Sequence, residues 1–141
     1  MKQMIQTNPL VAGSGQGKLL RLDEPLSLWG GLDPVTGLII DQRHPQRGER
    51  VTGKVLLLPC GRGSSSASSI LLEAVRLGTA PAAILTQEAD GILALGAVVA
   101  RELYGHAPPV LVLPLDLYYN LKNGEWVVVA ESGMISVNRD Q

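Results

Sequence analysis

The chain has 141 residues, 45% of them hydrophobic and 18% charged, which is enough length and apolar content for one globular domain with its own core. A net charge of −1, with two Trp, three Tyr and no Phe, excludes a broad basic face and an aromatic platform for nucleic acid. We therefore predict a single domain over residues 1–141.

The first part of the chain is predicted to form short strands and turns. Residues 1–9 are expected to be a mobile or strand-like start. Residues 13–18 are rich in glycine and resemble a phosphate-binding loop, but Ala12 and Leu19 stand where that motif needs Gly and Ser or Thr. A turn followed by a strand over residues 18–22 is the better interpretation.

Residues 26–41 are predicted to form a strand, a tight loop and a second strand around Gly30-Gly31 and Asp33-Pro34. The Asp33 carboxylate could serve a site or simply bond its own turn, and the sequence favours neither role. Residues 42–50 are polar and predict a surface loop, in which we expect His44 to be solvated.

Strand and helix patterns alternate between residues 51 and 113, in the order strand 51–58, helix 68–77, strand 81–85, helix 90–104 and strand 110–113. Gly78 and Gly105 fit C-terminal caps, and Asp90 fits a helix start. The apolar face of the second helix is broad, which predicts that this helix is largely buried. Such alternation favours parallel strands with right-handed crossovers.

Residues after 114 are predicted to form antiparallel strands at 117–121, 126–130 and 134–137, with a hairpin turn at Asn123-Gly124 between the first two. Strands before residue 58 and after residue 114 would then form a second, β-only layer. The predicted fold class is α/β, with a parallel strand–helix–strand core and an antiparallel β layer.

The junction between the strand at residues 56–58 and the following helix carries the most chemistry. The strand is apolar without alternation, which predicts that both of its faces are covered. Gly61 and Gly63 allow a sharp turn and a close approach to a ligand. Together with Arg62, the N–H groups and the positive end of the dipole at the helix start would attract an anion.

Three interpretations of this glycine and serine loop remain open. The serines could do no more than cap the helix. Residues 63–67 nearly match the nucleophile elbow of serine hydrolases, and Asp90 and His106 follow in a suitable order, although Ala67 replaces the last glycine. A serine oxygen could instead remove a proton next to a carboxylate, with its alkoxide stabilised by N–H groups, the helix start and Arg62.

Metal binding by the chain alone is not expected, because Cys60 is the only cysteine and only His44 and His106 accompany it. A single cysteine also excludes an intrachain disulfide. No signal peptide is recognisable, and no apolar run approaches the roughly 20 residues that span a bilayer. A cytoplasmic protein without a membrane partner is therefore expected.

Four segments carry a resemblance to a known family over nearly the whole chain: residues 28–34, residues 37–41 followed by His44-Pro45, residues 59–66 and residues 77–83. In these segments the chain resembles the small subunit, or swivelling domain, of the aconitase X family. The resemblance implies a swivelling β/β/α fold like that of the aconitase swivel domain. It also implies an aconitase-like large subunit that carries an iron or iron–sulfur centre and most substrate contacts.

The same resemblance implies a hydro-lyase acting on a small carboxylate substrate. Cis-3-hydroxy-L-proline is favoured and phosphomevalonate is the alternative, since the loop has one Arg and no nearby Lys cluster for a phosphate. A non-catalytic docking domain is the remaining hypothesis. The implied proton acceptor is Ser64, with Ser65 and Ser66 as substitutes, and Cys60 is expected to be a small buried side chain. The implied substrate-binding residues are Gly61, Arg62, Gly63, Ser65 and Ser66.

Overall fold

The computed structural model describes residues 2–61 and 66–138. The strands are β1 (Lys2–Gln6), β2 (Asn8–Val11), β3 (Gly15–Arg21), β4 (Val55–Leu58), β5 (Ala83–Thr86), β6 (Val110–Val112), β7 (Trp126–Val129) and β8 (Met134–Asn138). The helices are α1 (Leu28–Gly31), α2 (Ala67–Leu77), α3 (Gly91–Tyr104) and α4 (Leu115–Tyr118). Within the described ranges, no helix is long and apolar enough to cross a membrane.

The eight strands form one sheet in the order β1-β8-β7-β3-β4-β5-β6-β2. The pairs from β3 to β6 are parallel and the others are antiparallel, which confirms the mixed α/β prediction. Only Thr7 separates β1 from β2, yet these strands occupy opposite ends of the strand order. Because one residue spans less than 4 Å, the two edges must meet and the sheet folds round on itself.

Strand β4 shows how both faces of the parallel half are covered. Leu56 and Leu58 belong to a core cluster that includes α2 and α3 residues, such as Leu71. Val55 and Leu57 belong to the second cluster, which lies between the parallel and antiparallel halves. All four β4 side chains are at most 3% exposed, so the continuous apolar run is explained by burial on both faces.

The strand-like alternative for residues 1–9 is confirmed, because residues 2–6 and 8–9 lie in paired strands, whereas the turn predicted before residue 18 needs correction. Residues 2–11 form both edge strands, and β3 begins at Gly15 rather than residue 18. Gly17 is needed for packing, since a Cβ there would lie 2.3 Å from the carbonyl oxygen of Gly53. Gly15 and Gly17 of β3 therefore permit a close approach to the carbonyl oxygens of Ala82 and Gly53, which precede β5 and β4, rather than forming a turn.

The first of the two strands predicted within residues 26–41 does not form. Residues 28–31, labelled α1, form a tight turn rather than a regular helix, because Trp29 (ψ 114°) and Gly30 (φ 78°) have non-helical dihedral angles. The Leu32 N–H donates to the Leu28 carbonyl at 3.0 Å across this turn. Gly30 has a φ of +78°, which a regular strand does not allow. The second half contributes only isolated bridges, such as Leu32 with Ile39, in the part of the chain that the structure describes.

Residues 117–121 were predicted to be a strand, but residues 115–118 form helix α4 instead. Tyr118 and Leu121 are both buried and lie three residues apart, which is a helical spacing. In so short an apolar segment, this spacing cannot be told from the alternation of a strand. Gly124, with φ +83°, therefore turns the chain from α4 into β7. The antiparallel hairpin joins β7 to β8, with a bond from the Ala130 N–H to the Met134 carbonyl.

The predicted second layer is confirmed for β7 and β8 and is corrected in two respects. Strand β2 joins the parallel half by pairing with β6, although it precedes residue 58. Strand β3 belongs to both halves, because its first residues pair with β7 and its last residues pair with β4. These long-range pairings follow from sheet closure, which no local pattern encodes.

The two long helices begin and end close to the predicted residues. Gly78 and Gly105 adopt left-handed C-terminal caps, with φ of 77° and 80°, and Asp90 is the N-cap of α3. The predicted burial of α3 is wrong in part, because Leu95 is 54% exposed and Leu103 is 62% exposed. One stripe of α3 packs against α2 and the sheet, and its apolar opposite side faces outward.

Candidate active-site loop

The loop of interest leaves the carboxyl end of β4 and enters α2. Its described ends are Gly61, which follows the strand, and Ser66, which precedes the first residue of the helix. The predicted site residues Arg62, Gly63, Ser64 and Ser65 lie outside the described residues. Crevices at the carboxyl ends of parallel strands are where α/β domains bind ligands, so the loop is suitably placed.

Gly61 is held from two sides. It forms a parallel bridge with Leu26, and its N–H donates to Oδ2 of Asp90 at 2.7 Å. A Cβ at position 61 would lie 2.5 Å from the same oxygen, so only glycine permits this contact without displacing the carboxylate. The N–H of Gly61 is therefore already used within the chain.

Asp90 is the partner of Gly61 and also the N-cap of α3, as its position in the sequence predicted. Its Oδ1 accepts hydrogen bonds from the N–H groups of Ile92 and Leu93, both at 3.0 Å. Its Oδ2 is directed out of the helix to Gly61. One carboxylate thus joins the start of α3 to the base of the loop before α2.

Ser66 occupies the N-cap position of α2, but its side chain makes no capping hydrogen bond. Its backbone is already helical, with φ −62° and ψ −18°, whereas a capping side chain usually requires an extended backbone. Its carbonyl oxygen accepts bonds from the N–H and the hydroxyl of Ser69, at 3.1 and 2.6 Å. The side-chain cap that the serines of this loop could provide is therefore not made by Ser66.

A second cluster near the end of β4 was not found from the sequence. Arg21 lies opposite Leu57 in the β3–β4 register, and its guanidinium donates to the carbonyl oxygens of Tyr118 and Leu121, each at 3.1 Å. The guanidinium carbon lies 4.9 Å from the centre of the Tyr118 ring and 5.4 Å from that of Tyr119. Arg21 and Tyr118 are 97 residues apart, so no local signal could have paired them.

Tyr118 is only 2% exposed, and its hydroxyl has no hydrogen-bond partner among residues 2–61 and 66–138. Burial raises the pKa of Tyr118 above its ordinary value, and the positive charge of Arg21 opposes this shift. The phenol is therefore held in its neutral, hydrogen-bond-donating form.

The serine hydrolase interpretation fails on geometry. Asp90 precedes α3 and His106 follows it, and a helix of 14 residues separates the two by about 21 Å. The carboxylate of Asp90 is occupied by three N–H donors, and Nδ1 of exposed His106 lies 3.1 Å from the Tyr104 carbonyl. These side chains cannot form one catalytic triad.

Two other candidate residues have local structural roles. The Asp33 carboxylate accepts bonds from the Val35 N–H and the Thr36 hydroxyl, at 2.9 and 3.0 Å, so it bonds its own turn. His44 was expected to be solvated but is only 6% exposed. Its Nδ1 accepts from the Gln46 N–H at 3.0 Å, so Nε2 carries the proton that is donated to the Glu24 carbonyl.

Cys60 is partly exposed rather than fully buried, because it stands where β4 leaves the core. In the described part of the chain, no three His, Cys, Asp or Glu side chains are grouped so that they could hold a metal ion. The described residues therefore provide no ligand set for an iron or iron–sulfur centre.

The fold and the loop define a mixed α/β domain that presents a glycine and serine loop at the carboxyl edge of a folded sheet. The family model for the aconitase X swivel domain matches residues 4–137. The chain belongs to this family. The crystal structure of holo-form aconitase X from Thermococcus kodakaraensis superimposes with a TM-score of 0.86 and 30% identity, covering 97% of this chain and 99% of that chain.

Two relatives differ in how much of their length this chain represents. The chain is 44% identical, over 97% of its residues, to the cis-3-hydroxy-L-proline dehydratase of Pseudomonas aeruginosa, and it spans 23% of that protein's length. It is 48% identical, over 62% of its residues, to the phosphomevalonate dehydratase small subunit of Methanothermobacter thermautotrophicus, and it spans 67% of that subunit. The chain thus spans about a quarter of the first relative and two thirds of the second.

Proposed function

We propose that this chain is the swivel domain of a hydro-lyase and supplies the proton acceptor, Ser64, for the dehydration of cis-3-hydroxy-L-proline. An aconitase-like large subunit completes the site. That subunit holds the iron or iron–sulfur centre, since the described residues of this chain offer no suitable ligands. The chain is inactive alone in this proposal.

The observation that carries the proposal is the fixation of both ends of the loop. Gly61 is bonded to Asp90 at one end, and the Ser66 carbonyl is bonded within α2 at the other. Both of these ends lie at the carboxyl edge of the sheet, where β4 leads into α2. The 11-residue helix α2 directs its N-terminus at the same place, where its dipole favours an anionic substrate or a serine alkoxide.

The choice of substrate rests on the sequence identity between this chain and the two relatives. Identity to the cis-3-hydroxy-L-proline dehydratase is 44% over 97% of the residues, whereas the 48% match to the phosphomevalonate dehydratase small subunit covers only 62%. Phosphomevalonate is the second candidate, because the chain is also 48% identical to that small subunit over 62% of its residues.

The test uses the chain assembled with its large subunit and measures water loss from both substrates. Replacing Ser64 with Ala should leave assembly unchanged and reduce kcat by at least about a hundredfold, because a general base contributes that much. Ser14→Ala is the control, since this exposed serine precedes β3, at the edge of the sheet opposite the loop. Its kcat should match that of the unmodified enzyme.

Each result has a distinct meaning. Full activity in Ser64→Ala would remove this serine from the mechanism. Turnover of phosphomevalonate alone would select the second substrate. An assembled complex that dehydrates neither compound would support a docking domain in place of a hydro-lyase subunit.

A further inference from the structure

We propose that Asp90 is a positioning residue that orients the loop carrying the proton acceptor, a role beyond capping helix α3. This inference rests on the proposed function. Capping needs one oxygen, and Oδ1 meets that need through the N–H groups of Ile92 and Leu93. The second oxygen, Oδ2, leaves the helix and binds Gly61 on another segment.

The contact between Asp90 and Gly61 is specific in its geometry. The distance of 2.7 Å between the Gly61 nitrogen and Oδ2 is that of a strong bond to a charged acceptor. A Cβ at position 61 would lie 2.5 Å from this oxygen, so a side chain there would push the carboxylate away. An acidic residue and a glycine, 29 positions apart, are thus matched at one contact.

The position of this contact links it to catalysis. Gly61 is three residues before Ser64 and also pairs with Leu26, so its orientation sets the direction in which the chain leaves β4. A misplacement of about 1 Å in a reacting group can cost about a hundredfold in rate. Loss of the Asp90 contact should therefore lower kcat more strongly than it raises KM, to which the large subunit contributes most contacts in the proposed function.

Asp90→Ser separates the two roles of the carboxylate. Serine caps helices about as well as Asp, so α3 should keep its cap, and any fall in melting temperature should reflect only the lost Gly61 bond. Its single hydroxyl oxygen cannot serve both the helix and Gly61. Asp90→Asn is the conservative variant: one of its two terminal atoms is a donor, so it can satisfy only one of the two partners.

The structural readout is amide hydrogen exchange of the assembled enzyme. In Asp90→Ser, the Gly61 amide should exchange about tenfold faster or more, because it loses a charged acceptor. The amides of Ile92 and Leu93 should remain protected. Unchanged protection at Gly61 would overturn the inference.

The functional readout compares the change in kcat with the change in KM for each variant. Asp90→Ser should reduce kcat between about tenfold and a hundredfold, with KM within about threefold of the unmodified value. Glu102→Gln, which removes an exposed carboxylate from the last turn of the same helix, is the control for charge and should leave kcat unchanged. A kcat for Asp90→Ser within twofold of the unmodified enzyme would overturn the inference.

Failure of the inference and failure of the proposed function give different results. If Ser64→Ala is inactive and Asp90→Ser is fully active, Ser64 keeps its role and the positioning role of Asp90 is refuted. If Ser64→Ala is fully active while Asp90→Ser loses both Gly61 protection and kcat, Asp90 positions the loop but the assignment of the base is wrong.

Discussion

Replacing Tyr118 with Phe is expected to stabilise the chain. The Tyr118 hydroxyl is buried and has no hydrogen-bond partner among the residues that the structure describes. In the unfolded chain the same hydroxyl is hydrated. An unsatisfied buried polar group costs about 1–3 kcal/mol. Phenylalanine keeps the ring 4.9 Å from the Arg21 guanidinium carbon, so the cation–π contact is retained.

The free energy of unfolding should therefore rise by about 1–2 kcal/mol, or about 4 °C or more in melting temperature. Urea denaturation of the two proteins measures the difference directly. Tyr119→Phe is the matched control, because Tyr119 is 63% exposed and the loss of its hydroxyl should have little effect. A loss of about 1 kcal/mol or more in Tyr118→Phe would show that the hydroxyl has a partner and would refute the reasoning.

The same variant gives a pH test whose sign follows from the raised pKa of Tyr118. Burial disfavours the phenolate in the folded chain, while the unfolded chain ionises near a pKa of about 10. Ionisation of Tyr118 therefore leaves the stability of the unmodified chain unaffected below about pH 10, and that stability falls as the pH rises towards the higher folded-state pKa. The stability of Tyr118→Phe relative to the unmodified chain should therefore increase further between pH 9 and pH 11, and a constant difference would contradict the shift.

Two further predictions concern stability, one through packing and one through hydrogen bonds, and both are measured by urea denaturation. Gly17→Ala should destabilise the chain by more than about 1 kcal/mol, because its Cβ would lie 2.3 Å from the Gly53 carbonyl oxygen. Gly91→Ala is the control and should be neutral or stabilising, since nothing lies within 4 Å of a Cβ at this position at the start of α3. His44→Ala should cost about 1–3 kcal/mol because it removes two partly buried hydrogen bonds, including the one to the Glu24 carbonyl. A cost below about 0.5 kcal/mol would mean that these bonds do not stabilise the loop.

The parts of the fold that could be predicted are those with strong local signals. The apolar run at β4, the left-handed cap at Gly78 and the N-cap at Asp90 each depend on residues close in sequence. Helix α4 was missed because a short apolar segment fits either a strand or a helix, and only the joint burial of Tyr118 and Leu121 distinguishes them.

The parts that could not be predicted depend on contacts between distant residues. Strands β1 and β2 lie at opposite ends of the strand order, although one residue separates them in sequence. Only closure of the sheet brings these two ends together. For the candidate site, the sequence identified the loop and the capping role of Asp90. It could not reveal the bond to Gly61, because that bond depends on how α3 packs beside the end of β4.

The Asp90 contact also bears on where the loop can attract an anion. Helices α2 and α3 follow the parallel strands β4 and β5, so both helix N-termini lie at the carboxyl edge of the sheet. At α3 the positive end of the dipole already faces the carboxylate of Asp90, whose oxygens accept from three N–H groups. A negative charge at that position repels a substrate carboxylate. The first turn of α2 carries no acidic residue, so its start is the more favourable place for the carboxylate of the proposed substrate.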